Sequence, residues 1–274
     1  MNASNSNSNN SSMSGGNAQT GRFTPAPAPQ GHAIVLWAKP SATYAQKVAA
    51  TQAYLSQITA QYQPITLACS LGAEDMVLLH ILHMLQLPCE VFVLQTGKLN
   101  LETLDLLRLV QERYGKARAI HVYEPDAQQA AEFVATHGED AMYQSVELRK
   151  ACCDIRKMQP LARALAGKRA WITGLRREQS NARADVPLHE ADGVHHGLAR
   201  EKFNPLADWT WGDIWHFIQE NAVPYNSLHD QFYPSIGCQP CTRAITLGEE
   251  FRAGRWWWEN SDLKECGLHV KPHS

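Results

Sequence analysis

Between residues 65 and 173 the chain switches repeatedly between two hydrophobic periods, and this alternation limits the folds open to it most severely. Ile65-Thr-Leu-Ala-Cys-Ser70 reads as a strand, followed by Gly72 and a helical stretch from Ala73 to Gln86. Cys89-Glu-Val-Phe-Val-Leu-Gln95 is a second strand, then Thr96-Gly97 and a helix over about 101–114. Ala119-Ile-His-Val-Tyr123 is a third, followed by a helix near 127–137, and a helix near 155–166 leads into a fourth strand, Ala170-Trp-Ile-Thr173. Strands alternating with helices predict an α/β fold with a parallel sheet and helices on both faces. Ligands in such folds sit beyond the carboxyl ends of the strands. Ser70-Leu-Gly72, Gln95-Thr-Gly97 and Thr173-Gly174 all fall at that edge.

Around this core the sequence predicts three further regions. Residues 1–30 are rich in Asn, Ser and Pro and bury too little apolar surface to offset their ordering entropy, so disorder is expected there. A helix is expected over 41–61, with Ser41 as its N-cap, and a capped amphipathic helix over 209–218. The expected layout is a disordered stretch over 1–30, an α/β domain over 31–249 whose strand ends would carry the binding sites, and a mobile C-terminal segment over 250–274. The chain has 274 residues and a net charge of −2, so nothing marks it as a general binder of nucleic acid or membrane surfaces. No apolar run approaches the roughly 20 residues needed to cross a bilayer. The N-terminus lacks the basic and apolar regions of a secretory signal, so a reducing, cytoplasmic setting is expected.

In that setting seven cysteines point to metal or catalytic roles rather than disulfides. Cys152 and Cys153 are adjacent in Arg149-Lys-Ala-Cys-Cys-Asp-Ile-Arg-Lys157, and Cys238 and Cys241 form a Cys-x-x-Cys. Four thiolates can hold one metal centre. The adjacent pair fits a repeated Cys-x-x-Cys zinc site less well than an iron–sulfur cube, whose ligands are spread over four irons; zinc and unligated thiols stay open as alternatives. On a continuous helix Lys157, four residues after Cys153, shares its face and could offset a cluster's negative charge. Cys266, in Lys264-Glu-Cys-Gly-Leu-His269, stands apart from both pairs, with cationic neighbours of the kind that favour thiolate. Cys69 and Cys89 sit in apolar strands and read as core.

The basic residues at the ligand edge suit an oxyanion. Arg176, Arg177 and Arg183 follow the fourth strand, and guanidinium forks pair with sulfate or phosphate, the alternative being surface ion pairs. Arg252 and Arg255 would share one side of a helix. The turn Ser70-Leu-Gly-Ala-Glu-Asp75 opens a helix, where backbone N–H groups favour an anion, but its spacing is not that of a Walker A loop.

Taken together, these residues resemble the assimilatory phosphoadenylyl/adenylyl-sulfate reductase family. The resemblance rests on Ser70–Asp75, Thr96-Gly-Lys-Leu-Asn-Leu-Glu-Thr103, Cys152-Cys153, Thr173-Gly-Leu-Arg-Arg-Glu-Gln-Ser180, Lys202-Phe-Asn-Pro-Leu206, Tyr233–Arg243, Gly254–Glu259 and Lys264–His269. It implies a Rossmann-like adenine-nucleotide α-hydrolase fold, related to the PP-loop enzymes, with a C-terminal catalytic tail. It implies a [4Fe-4S] cluster on Cys152, Cys153, Cys238 and Cys241, and, for the cluster-bearing branch, adenylyl sulfate (APS) rather than its 3′-phosphorylated form (PAPS) as substrate. Cys266 would attack the sulfur, AMP would leave, and thioredoxin or a similar dithiol would release sulfite from the resulting S-sulfocysteine. By motif position, Lys157 and His269 would join Cys266 in catalysis, and Arg183, Arg252 and Arg255 would hold the phosphosulfate. Ser70, Gly72, Gly97 and Gly174 would frame the nucleotide. A homo-oligomer is compatible with this reading; nucleic-acid and membrane partners are not expected. Three positions depart from the family pattern: Leu71 replaces a serine, Gln95 an aspartate, and Phe232 a glycine.

Overall fold

A computed structural model describes residues 31–259, apart from 196 and 247 and the side chain of Leu198. The strands are β1 (Ile65–Ala68), β2 (Glu90–Leu94), β3 (Ile120–Tyr123), β4 (Ala170–Ile172), β5 (His189–His195) and β6 (Leu198–Phe203). They form one sheet in the order β3-β2-β1-β4-β6-β5. Every pairing is parallel except β5 with β6, which is antiparallel. The helices are α1 (His32–Trp37), α2 (Tyr44–Gln61), α3 (Ala73–Met84), α4 (Leu101–Tyr114), α5 (Ala127–His137), α6 (Val146–Cys153), α7 (Gln159–Ala164) and α8 (Trp211–Glu220).

The period-2 alternation of the strands divides the core between the two faces of the sheet. Ile65, Leu67, Val91, Val93, Ala170 and Ile172 point into the larger cluster, with side chains of α2, α3, α4 and α8. Their in-between neighbours Phe92 and Trp171 point the other way, against Leu161, Ala164 and Leu165 at α7. Parallel strands covered on both faces read as continuous apolar runs, which is why β1, β2 and β4 are visible in the sequence; β3, at the sheet edge, is only partly buried. α3 is buried over ten consecutive residues, Ala73–Leu82, and forms the centre of the larger layer.

Three features differ from the sequence expectation. The β5–β6 hairpin was not expected. Its strands carry charge because the charges are paired: Lys202 Nζ lies 2.9 Å from Glu190, Arg200 Nε 2.5 Å from Asp192, and Lys202 also rests 5.5 Å from the Trp171 ring centre. Ser41 does not cap α2; Thr43 occupies that position without a side-chain cap bond. Ser41 instead donates its N–H and hydroxyl to Asp213 on α8, at 2.7 and 3.1 Å. Finally, the expected helix over 155–166 begins earlier and is not uniformly α: α6 runs into a π-helical turn, Asp154–Met158, before α7. Pro160 supplies the reason. It has no N–H to give, and its ring would press on the carbonyl of residue 156, so the helix widens just ahead of it.

The chain lays down β1, β2 and β3 in one direction and then returns to the other side of β1 for β4. Ligands of open α/β sheets bind at the carboxyl end of such a reversal. Among the described residues no helix is long and apolar enough to cross a membrane.

Candidate active site

Beyond the carboxyl ends of β1, β2 and β4 lies a cavity with an apolar wall, including Phe92, Leu94, Leu161 and Trp171. A second, polar cavity holds Arg252, Arg255, His229 and Gly72. The two share Ser70, Glu74, Lys157, Gln179, Arg183 and Ile236, so one continuous site runs from an apolar end to a cationic end.

The loop after β1 is shaped by its own carboxylate. Ser70 donates both its N–H, at 2.7 Å, and its hydroxyl, at 2.5 Å, to Asp75 Oδ2, and Gly72 N–H reaches Ser70 Oγ at 3.3 Å. Leu71 takes φ +64° and buries its side chain in the core, which fixes the turn from below. Burial pushes the Asp75 carboxyl up to about 6, against hydrogen bonds from Ser70 and the Gly174 N–H that favour its charged form. Gly174 itself has no room for a side chain. A Cβ there would strike Asp75 Oδ1 and come within 2.8 Å of Glu74 Cβ, so the β4 loop and the start of α3 can close together only with glycine between them.

The arginines after β4 separate into two kinds. Arg176 is fully buried and binds Glu74 Oε1 through Nε at 2.9 Å, and Arg177 pairs with Asp208. Arg183 alone of the three lines both cavities, its Nη1 held by Gln179 Oε1 at 2.6 Å. Gln179 in turn donates to Glu74 Oε1 at 2.9 Å, completing a buried chain from α3 to Arg183. At the cationic end Arg255 is buried, donates to the Ile236 carbonyl at 3.1 Å, and lies 4.7 Å from the Trp256 ring centre. His229, also buried there, must donate from Nδ1 to the Tyr233 carbonyl at 2.7 Å, which leaves Nε2 with its lone pair; burial lowers its pKa to about 4. Gly97 lies outside both cavities. It turns the chain at φ +73° next to Arg156, and its neighbour Thr96 is the residue that lines the apolar cavity.

Behind the cationic end, Cys152, Cys153, Cys238 and Cys241 line a single small cavity, together with Arg149, Arg156, Lys157 and Trp256. All six described cysteines are thiols rather than disulfides. α6 and its π-turn bring the first pair, and a loop of 3₁₀ geometry, Gln239–Cys241, brings the second. Burial raises the Cys152 thiol and pushes Cys241 up to about 11, while Arg156 works against the shift at Cys152, and Lys157 and Arg255 work against it at Cys241. Thr96 Oγ1 meets Cys238 Sγ at 3.2 Å. Arg149 is held to Glu259 by two bonds of 2.8 Å and lies 4.7 Å from the Trp256 ring centre. Lys157 touches all three cavities. Cys69 and Cys89 are core residues, as their strands predict. Cys266 and His269 lie outside the described residues.

Motif position alone assigns no role to Glu74, Asp75, Gln179 or Thr96. The available signal was the odd placement of two consecutive acids in a turn expected to face an anion.

Residues 64–244 match the phosphoadenosine phosphosulfate reductase domain. The chain belongs to this family. It is 52% identical over 227 residues to an adenosine 5′-phosphosulfate reductase of Allochromatium vinosum, covering 83% of this chain and 87% of that one. It is 50% identical to the Burkholderia cepacia protein of the same name, over 82% and 88% of the two chains. Among solved structures, a phosphoadenylyl-sulfate reductase from Candida auris in a phosphate complex superposes with a TM-score of 0.58 at 27% identity, over 72% of this chain and 92% of that one. A Candida glabrata FMN adenylyltransferase superposes at 0.51 with 12% identity, over 85% and 82%, a likeness of fold alone. The sheet, its order and these neighbours make the fold that of the adenine-nucleotide α-hydrolases related to PP-loop enzymes.

Proposed function

We propose that this chain is an oxidoreductase of assimilatory sulfate reduction that converts adenylyl sulfate to sulfite and AMP. The observation that carries this reading is the polarity of the site: an apolar cavity sized by strand ends and Trp171, passing into one lined by Lys157, Arg183, Arg252 and Arg255. Adenine suits the first and a phosphosulfate the second, where guanidinium groups oppose its charge. The relatives named adenosine 5′-phosphosulfate reductase support the same substrate.

In the proposed reaction the Cys266 thiolate attacks the sulfur of adenylyl sulfate. An S–S bond forms, the S–O bond to the phosphate breaks, and AMP departs with the electron pair. A dithiol of the thioredoxin kind then attacks Cys266 Sγ, sulfite leaves with its electron pair, and the second thiol of the reductant frees the enzyme as a thiol. Splitting the displacement in two lets each step have a good leaving group. The protein's task is charge neutralisation and alignment, which Arg183, Arg252, Arg255 and Lys157 are placed to provide. His269 would assist the thiolate or the bound anion. Ser70, Gly72 and Gly174 frame the nucleotide, with Gly97 acting at one remove through its turn.

The four cysteines fit a [4Fe-4S] cluster. Their thiols surround one cavity that Arg156 and Lys157 also line, cations that would balance a cluster's negative charge, while Arg149 beside them is already paired with Glu259. Among the described residues no group of three or more His, Cys, Asp or Glu is drawn together around a single ion, and a cluster asks its ligands to stand apart on separate irons. When bound it would supply electrostatic stabilisation and hold Lys157 between itself and the substrate. Sulfite release from adenylyl sulfate and a dithiol tests the reading: Cys266→Ser is expected to abolish it while leaving iron and sulfide content unchanged. Undiminished sulfite from that variant would overturn the mechanism.

A further inference from the structure

A buried carboxylate is out of place in a cavity meant for an anion, and Glu74 is such a group. It lies at the junction of the apolar and cationic cavities and is 7% exposed. Its two oxygens differ. Oε1 accepts from Arg176 Nε and from Gln179 Nε2, both at 2.9 Å. No hydrogen bond or ion pair among the described residues uses Oε2. Oε2 lies on the side of Gly72, 3.9 Å from where a Cβ on that glycine would stand, and Gly72 lines the cationic cavity. One oxygen is therefore neutralised by the fold, and the other is left as an acceptor toward the ligand.

The position of that acceptor identifies what it meets. With adenine at Phe92 and Trp171 and the phosphosulfate at Arg252 and Arg255, the ribose falls at the junction. A ribose diol presents hydroxyl donors, which a carboxylate accepts in a charge-assisted bond. A 3′-phosphate at the same place would bring a second anion against it, at a distance where Coulomb repulsion in a partly dry site is large. We infer that Glu74 is a specificity-determining residue: it selects a nucleotide whose ribose 3′ position is an unmodified hydroxyl and rejects one that is 3′-phosphorylated. This rests on the proposed function for the placement of the nucleotide, and it adds the reason for preferring APS to PAPS. Discrimination of this kind uses attraction and exclusion at one atom. A purely structural role, as the counter-ion of buried Arg176, would stabilise the fold without reading the ribose.

The test measures the affinities of the full-length protein for AMP, 3′-deoxy-AMP and adenosine 3′,5′-bisphosphate by calorimetry, for the wild type and Glu74→Gln. The amide is isosteric: its oxygen can keep the Oε1 contacts while its NH₂ replaces Oε2, turning acceptor into donor. For the wild type, AMP is expected to bind at least about tenfold more tightly than either analogue, the scale of a hydrogen bond to a charged group. In Glu74→Gln the AMP advantage over 3′-deoxy-AMP should vanish, and the bisphosphate should gain at least about tenfold relative to AMP. Unchanged ratios in the variant would overturn the inference. So would equal wild-type affinities for AMP and 3′-deoxy-AMP, a comparison that stands even if the variant does not fold. Wild-type protein that binds none of the three would instead remove the nucleotide reading, and this inference with it.

Discussion

Asp75 shows how one residue links the backbone turn to the site. It accepts from Ser70 twice and from the Gly174 N–H, so its ionised form ties the β1 and β4 loops together. Burial nevertheless raises its pKa to about 6 from the ordinary 3.8. Between those values the folded protein holds a proton that the unfolded chain has released, so this group's contribution to stability is full below about pH 4 and falls as pH rises to about 6. Denaturation midpoints of the wild type and Asp75→Asn, measured at pH 4.5 and pH 7, should differ more at pH 7, in favour of the variant's burial term. AMP affinity of the wild type should weaken below pH 6, and Asp75→Asn should lack that step. Phe232 carries a second residue-scale prediction. Its φ of +64° is costly for a side chain, by about 1–2 kcal/mol, which accounts for the glycine that the family pattern has there. Allowing for the greater freedom of glycine in the unfolded chain, Phe232→Gly should stabilise by up to about 1 kcal/mol in urea denaturation. Neither feature was legible in the sequence, because Asp75 as a loop organiser and Phe232 as a left-handed residue depend on where the chain turns.

At the scale of elements, legibility followed burial chemistry. α4 and α5 and the strands β1 to β4 lie where hydrophobic period and turn residues place them; β1, β2 and β4 are apolar on both faces, and β3, at the edge, is legible from its β-branched and aromatic residues. The β5–β6 hairpin escaped because Arg200 and Lys202 are buried through pairing with Asp192 and Glu190, and hydropathy cannot distinguish a paired charge from a solvated one. The π-turn escaped although Pro160 announces a break, since a break can be met by a kink, an end or a widening. Similarly, the sequence places Arg176, Arg177 and Arg183 alike, and only tertiary partners leave Arg183 to the site. The junction of α2 with α8 gives this scale its prediction. Thr210 caps α8 by accepting the N–H of Asp213, and the buried Asp213 carboxylate accepts in return from the Thr210 N–H, from Lys47 Nζ at 2.7 Å and from the N–H and hydroxyl of Ser41. Burial alone would raise its pKa, but these donors hold it at about 2, below the ordinary 3.8. The stabilisation is therefore present above pH 4 and lost as pH falls toward 2. Asp213→Asn should cost about 2 kcal/mol at pH 7 and progressively less in acid, as read by urea midpoints across that range.

Over the whole molecule, three cavities meet at Lys157, and the segments that build them are far apart in the chain. α6 supplies Arg149 and the first cysteine pair; residues 238–259 supply the second pair, Arg252, Arg255 and Trp256. The Arg149–Glu259 pair joins the two, with Arg149 and Arg255 both beside Trp256. A cluster on the four cysteines would join them a second time. Its removal is expected to leave the sheet intact, since no strand residue is a proposed ligand, but to lower Tm and weaken nucleotide binding together through the loss of Lys157 placement. Far-UV circular dichroism with thermal melts of iron-loaded and iron-free protein checks this; equal melting and equal AMP affinity would contradict a positioning role for the metal site. Motif spacing picked out Ser70, Gly72, Lys157, Gly174, Arg183, Arg252 and Arg255, which line the two joined cavities, and the four cysteines behind them, whereas Gly97 falls outside, Cys266 and His269 lie beyond the described residues, and the apolar-to-cationic layout needed the sheet. The most direct test of the account is intact-protein mass after anaerobic incubation with APS and no reductant, then after adding a dithiol. A sulfo adduct that maps to Cys266 and disappears with the dithiol is the predicted result; protein that retains its iron and sulfide yet forms no adduct with APS would contradict it.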